Sequence, residues 1–231
     1  MERVREIVEL PFLNVYSKII KDPSIFLAVD LEWGMPSGRP RKFDESVVLE
    51  RAAGLFMRHG YDRVGIAELC EETGVPAQSL YNAFGSKAQI FRHVLDRYGD
   101  LANRPIIESL NAERDPMAAL ETFIDRWDRH IGAGPEGGCL FTQTLAAADD
   151  EPGRGDAEIP QRFTGELRRA LRGRAREAHR AGQMAQDANP GEIADAILGM
   201  AFGCAVAGRG GLAPSVIRSM QRAARSLLHA S

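Results

Sequence analysis

From Asp44 to the end of the chain, apolar positions recur every three to four residues and nowhere every two. That period belongs to helices with one buried face, so the expected fold class is all-α. Val48, Ala52, Leu55 and Phe56 stand at i, i+4, i+7 and i+8 behind Asp44, whose carboxylate suits an N-cap. His59-Gly60 closes this first helix, with Gly60 expected in the left-handed cap conformation. A short helix over about 66–72 ends at Gly74. Another, over about 76–83, is expected to carry Pro76 at its first position, where a missing N–H costs nothing. Ser86 with Gln89 forms a capping box, and the helix behind it turns Ile90, Phe91, Val94, Leu95 and Tyr98 inward. Pro105 is expected to kink or stop that helix. Five more helices are expected over about 115–131, 138–148, 159–182, 190–207 and 213–229.

The first 34 residues show no sustained period and are interrupted by Pro11 and Pro23. At Met35 the character changes to MPSGRPRKFDES. Two readings stand: a natural start at Met35 with a non-native segment before it, or a genuine extension that packs somewhere.

Composition narrows the function classes. The chain has 231 residues, 44% apolar and 26% charged, which suits one or two globular domains. A formal net charge of −3 excludes a basic nucleic-acid coat, so any DNA binding must come from a local patch. Cys70, Cys139 and Cys204 lie far apart, giving neither a disulfide framework nor zinc spacing, and a cytoplasmic location is expected. The longest uncharged apolar run, about Ala196 to Gly208, falls short of the ~18 residues a bilayer span needs, so no membrane partner is expected. The N-terminus has no signal-peptide pattern. There is no nucleophile elbow and no metal-ligand cluster. The glycine-rich stretch Gly132 to Gly138 lacks GxxxxGK and follows no strand. The expectation is a protein that is not an enzyme and uses no cofactor or metal.

The two short helices before Ser86 carry the functional signal. Two helices joined by a tight glycine turn make a helix-turn-helix unit, held here by Ile66, Leu69, Cys70, Val75 and Leu80. The second helix is left with Ala77, Gln78, Ser79, Tyr81 and Asn82 outward. Glutamine and asparagine pair bidentately with adenine edges in the major groove, and hydroxyls suit phosphate oxygens. Lys87 sits in the first turn of the next helix, where a cation opposes the dipole unless a phosphate lies close by. Upstream, Arg39, Arg41 and Lys42 form a basic arm suited to a backbone or narrow minor groove.

The segments GRPRKF (Gly38–Phe43), LFMRHGYDRVGIAEL (Leu55–Leu69), TGVPAQSLYNAFGSK (Thr73–Lys87) and IFRHVLDRY (Ile90–Tyr98) together resemble TetR-type transcriptional regulators over about 60 residues. The resemblance implies a homodimer whose N-terminal heads read palindromic double-stranded operator DNA, above a helical core that binds a small-molecule effector. The expected organisation is an extension at 1–34, a basic arm at 35–43, a DNA-binding head at 44–104 and a ligand-binding and dimerisation domain at 105–231. The resemblance places DNA contacts at Arg41, Gln78, Ser79, Tyr81, Asn82 and Lys87, and Arg39 joins them from the arm. Family members usually carry Thr or Ser where this chain has Gly65, so a hydroxyl that caps the helix and touches phosphate is missing. The expected function is a repressor released by its ligand; the alternatives are an activator, or a redox-sensing regulator acting through Cys139.

The remaining candidates each have a plain packing reading beside the functional one. Phe123, Trp127 and His130 share one helix face as core or pocket lining, and Cys139, Phe141, Gln143 and Phe163 are candidates to complete a ligand site. Cys70 and Cys204 read as packing residues. The arginines at 168, 169, 172, 174, 176 and 180 spread around their helix and read as a solvated face with ion pairs. The small residues Ala194, Gly199, Ala201, Gly203, Ala205 and Ala207 let a helix approach another closely. With 213–229 they suggest the dimer interface of the resembled family.

Overall fold

The computed structural model describes residues 43–131, 138–147 and 157–229, without the side chains of 128–130. Among the described residues every regular element is helical. In chain order they are α1 Glu45–His59, α2 Ile66–Thr73, α3 Ala77–Phe84, α4 Lys87–Tyr98, a π-helical turn Gly99–Asn103, α5 Arg104–Ala112, α6 Pro116–Ile131, α7 Leu140–Ala147, α8 Glu158–Arg180, α9 Pro190–Arg209 and α10 Pro214–Leu228.

The caps explain most boundaries. The Asp44 carboxylate accepts from the N–H groups of Ser46 and Val47, starting α1. Ser86 and Gln89 exchange side-chain and backbone hydrogen bonds at the start of α4, which realises the capping box. Gly60 does end α1, but at φ 78°, ψ 164° rather than in the left-handed helical region. Pro76 lies one position earlier than expected. It is the extended N-cap of α3, and its carbonyl accepts from Ser79 and Leu80 N–H.

Pro105 does not stop the helix, and the expected list lacked α5. The chain runs helically from Lys87 to Ala112, with the π turn inserted just before the proline. Arg104 N–H donates to Gly99 C=O, five residues back. The widened turn shifts the hydrogen-bond ladder before a residue that has no N–H to give, and Pro105 enters α5 in its first turn. Gly99 opens that turn because Phe163 occupies the space above it. A Cβ there would lie 2.2 Å from a Phe163 ring carbon. The expected domain boundary at 104/105 falls inside this continuous run.

α1 packs on α2 and α4, and α2 to α4 follow around it. The core of this part is Phe56, Leu69, Leu80, Ile90, Phe91 and Leu95, all buried. The C-terminal helices pack chiefly as α8 on α9, α9 on α10 and α8 on α6. Buried polar ties hold them in register: Trp127 Nε1–H donates to Ala201 C=O at 2.7 Å, and Gln221 Nε2–H to Ile124 C=O at 2.7 Å. The arginines of α8 are more specific than a solvated face. Arg168 and Arg172 both grip Asp195 of α9, and hold its carboxyl far below the usual range. Arg174 reaches the carbonyls of Leu110, Asn111 and Glu113, closing the end of α5. α9 is long and apolar enough to cross a membrane by length and composition. Half of its most apolar window is buried in the bundle, including Ala194, Ile197, Ala201 and Cys204.

Candidate nucleic-acid interface

The turn between α2 and α3 is set by three residues. Gly74 takes the left-handed conformation at φ 72°, ψ 15°, which costs a side chain with a Cβ about 1 kcal/mol or more. Thr73 Oγ1 donates to Leu69 C=O at 2.6 Å and accepts from Val75 N–H at 3.3 Å, so the buried turn keeps its polar atoms paired. Arg51 of α1 reaches the carbonyls of Glu72 and Thr73. Leu69, Val75 and Leu80 are buried at the helix crossing, while Ile66 and Cys70 are only partly so. α3 is thereby fixed on its inner face and free on its outer one.

Gln78, Tyr81 and Asn82 are exposed on that outer face, Tyr81 by 43%. Gln78 Nε2–H donates to Asn82 Oδ1 at 3.0 Å, so the two amides lie side by side one turn apart. Ser79 and Ala77 are half-buried. Lys87 opens α4 beyond Gly85, half-buried, with its Nζ 4.1 Å from the centroid of the Tyr61 ring. That ring face supplies a local attraction for a cation placed against the helix dipole. Burial pulls the Lys87 ammonium below the usual lysine range, and Asp62 and Glu68 pull it back. Burial, with Asp62, raises the Tyr61 phenol. Gly65 caps α2 from extended backbone with no side-chain bond, and Glu68 accepts from its N–H at 3.0 Å. Arg39 and Arg41 lie outside the described residues.

The expected ligand residues fall into separate places. Phe123 and Trp127 are buried neighbours on α6, ring centroids 5.2 Å apart, and Trp127 bonds to Ala201 of α9. Phe141 and Phe163 stack at 5.4 Å beside Tyr98, whose hydroxyl accepts from Leu140 N–H. Cys139, 4% exposed, and Gln143 line a cleft of about 370 Å³ between α7 and α9, with Thr142, Ala146, Ala147, Ala205, Val206 and Arg209. A second cleft of about 150 Å³, under the Gly60–Arg63 loop, is also lined by Gln143. Neither cleft is lined by Phe123, Trp127, Phe141 or Phe163. The His130 side chain lies outside the described residues.

Arg209, at the end of α9, escaped the sequence reading. Its guanidinium donates to the carbonyls of Met57 and, at 3.1 Å, Arg58, the last turn of α1. The contact joins residues about 150 positions apart, and no local pattern marks it. Two surface ion pairs, Arg92–Glu158 and Arg162–Asp96, also link α4 to α8.

A helix-turn-helix unit with an exposed amide-bearing second helix, carried by a larger helical bundle, defines a class of DNA-binding regulators. Residues 48–94 match the family described as bacterial regulatory proteins, tetR family, and residues 116–224 match the tetracyclin repressor-like C-terminal domain. Together the two matches span more than half of the sequence, and the chain belongs to the TetR family, whose members are DNA-binding transcriptional regulators and not enzymes. It is 48% identical over 63 residues to the HTH-type transcriptional repressor ComR of Escherichia coli, covering 27% of this chain and 30% of ComR. It is 32% identical over 115 residues to the repressor BdcR of the same organism, covering 49% of this chain and 58% of BdcR. The chain thus aligns with less than two-thirds of the length of either relative. Among solved structures it resembles a cysteine-substituted form of the TetR family regulator CifR complexed with 26-base-pair operator DNA. That match has a TM-score of 0.69 at 28% identity, over 81% of this chain and 99% of that one. A TetR family regulator from Agrobacterium tumefaciens shares the fold, with a TM-score of 0.71 at 17% identity, over 80% of this chain and 97% of that one.

Proposed function

We propose that this protein is a homodimeric repressor whose two α3 helices enter successive major grooves of a palindromic operator, and that a small molecule bound by the C-terminal helices releases it. The observation that carries the reading is the exposed Gln78–Asn82 amide pair on a helix clamped from behind by Leu69, Val75 and Leu80. In this reading Gln78 and Asn82 meet base edges, while Ser79, Tyr81 and Lys87 meet the backbone. Arg39 and Arg41 extend the contact from the arm. CifR binds double-strand operator DNA, and ComR and BdcR are repressors, which supports repression over activation.

α9 and α10 are the proposed dimer face. Val206 of α9 is 60% exposed, and Val216 and Leu227 of α10 are exposed as well, apolar side chains that a second copy would cover. Release by ligand needs coupling of about 1–3 kcal/mol between core and heads. The contacts of α4 with α7 and α8, and of Arg209 with α1, are routes for it. The redox alternative asks for an accessible thiolate, and Cys139 is buried. If Cys139 is nonetheless a switch, Cys139→Ser abolishes oxidant-driven release.

Selection of bound sequences from a random DNA pool tests the whole reading. The expected product is a two-fold symmetric site bound by one or more dimers. Enrichment of no sequence, or of an unsymmetric one by a monomer, would refute it.

A further inference from the structure

The cleft between α7 and α9 is lined by small apolar residues and by polar ones. Ala146, Ala147 and Ala205 make small apolar walls, beside Val206 of the proposed dimer face. Thr142, Gln143 and Arg209 supply its polar lining. Thr142 is nine-tenths buried and its Oγ1 has no hydrogen-bond partner; Gln143 Nε2 is also buried without one. A buried polar atom left unpaired is costly, so two on residues that line one cleft need a reason. Both can donate, Arg209 can only donate, and no acidic side chain lines the cleft among the described residues. Thr142 and Gln143 lie in the first turn of α7, the positive end of that helix. The carbonyls that end α9 are not acceptors in waiting. Val206, Ala207 and Gly208 C=O are taken by Gly210, Leu212 and Gly211 N–H.

Donors and small apolar side chains lining one cleft call for an acceptor on a compact hydrocarbon body. We propose that this cleft binds a small organic carboxylate, with Thr142, Gln143 and Arg209 around the carboxylate and Ala146, Ala147 and Ala205 around the body. The same guanidinium holds the last carbonyls of α1, so the ligand draws on the group that ties the C-terminal helices to the N-terminal ones. Gly138 seats Arg209 closely: a Cβ at Gly138 would lie 3.2 Å from Arg209 Cβ. The proposal rests on the reading that the C-terminal helices take an effector and names its chemistry.

The test uses the full chain without DNA, so its failure is separable from failure of the operator reading. 4-Fluorobenzoate is the probe and 4-fluorobenzamide its uncharged counterpart, both titrated by fluorine NMR. The benzoate is expected to bind about tenfold or more tightly than the amide, and Gln143→Leu and Arg209→Gln are each expected to weaken it about tenfold. Thr142→Val, which leaves the Arg209 tie untouched, is expected to weaken it in the same direction. Hydrogen exchange at residues 56–63 is expected to quicken when the benzoate saturates. Equal binding of acid and amide, unchanged affinity in Thr142→Val and Gln143→Leu, or no binding below about 10 mM, overturns the site. Unaltered exchange at 56–63 overturns the link to α1.

Discussion

Single side chains at the tip of the N-terminal part are held in ways that set what they can do. Lys87 lies over the Tyr61 ring at the start of a helix, where its charge is locally disfavoured but the ring compensates. If it meets a phosphate, Lys87→Ala lowers affinity for operator and unrelated DNA alike. It also flattens the slope of log affinity against log salt by about one, which fluorescence anisotropy across a salt series measures. Asn82 should behave differently. Asn82→Ala frees the Gln78 amide and is expected to change which base is preferred at one position per half-site, worth about 1–3 kcal/mol of discrimination. A uniform loss over all sites removes it as a base reader. Glu50 illustrates the opposite case, a side chain at odds with its place. It is buried on α1 with Oε1 unpaired, and burial raises its carboxyl; Arg97 and Arg51 offset part of that rise. With the folded value above the unfolded one, the folded state holds the proton more tightly. Stability contributed by this group is present below the ordinary carboxylate range, near 4.3, and is lost as pH rises through the raised value. Glu50→Gln is therefore expected to raise the melting temperature at pH 7 and to lose that advantage as the pH falls toward 4.

At the scale of elements, the turn between α2 and α3 concentrates the geometry of the site. Thr73 supplies two hydrogen bonds from one hydroxyl, and Val75 N–H has that hydroxyl as its acceptor. Thr73→Val keeps the shape and removes both, leaving a buried N–H unpaired, at a cost of about 1–3 kcal/mol by urea unfolding. The Ser86 capping box was legible from Ser and Gln three apart, because both partners lie within one turn. The place of Pro76 was not, since an N-cap and a first helical position differ only in ψ, which proline leaves open. α5 was hidden by Pro105. A proline normally ends a helix. Here a π turn absorbs the missing donor, and Gly99 permits the turn by making room for Phe163, 64 positions later.

For the whole molecule, the exposed valines and leucine of α9 and α10 are the points where a second copy should sit. Val206→Glu is expected to shift the protein from dimer to monomer in sedimentation equilibrium, with the circular dichroism of the helices retained. A dimer that persists unchanged moves the interface elsewhere. The ties from α9 to α1 and from α8 to α4 connect the two parts of the chain, so that a change near α7 has a short path to α1 and α4.

The sequence by itself determined the all-helical class, most helix limits and the outward face of α3. These depend on i, i+3 and i+4 neighbours and on caps, all readable within a turn or two. It also located the Thr73–Lys87 motif that marks the family. Only the tertiary structure decided which buried residues share a space. Trp127 bonds to α9 with Phe123 beside it, while Phe141 packs on Tyr98 with Phe163 stacked on it, although all four look alike as apolar positions on helices. It alone brought Arg209 to α1 and set it beside Thr142 and Gln143. Helical period specifies which side of a helix is buried. It carries no information about which distant helix covers that side, and the head-to-core link lies in those contacts.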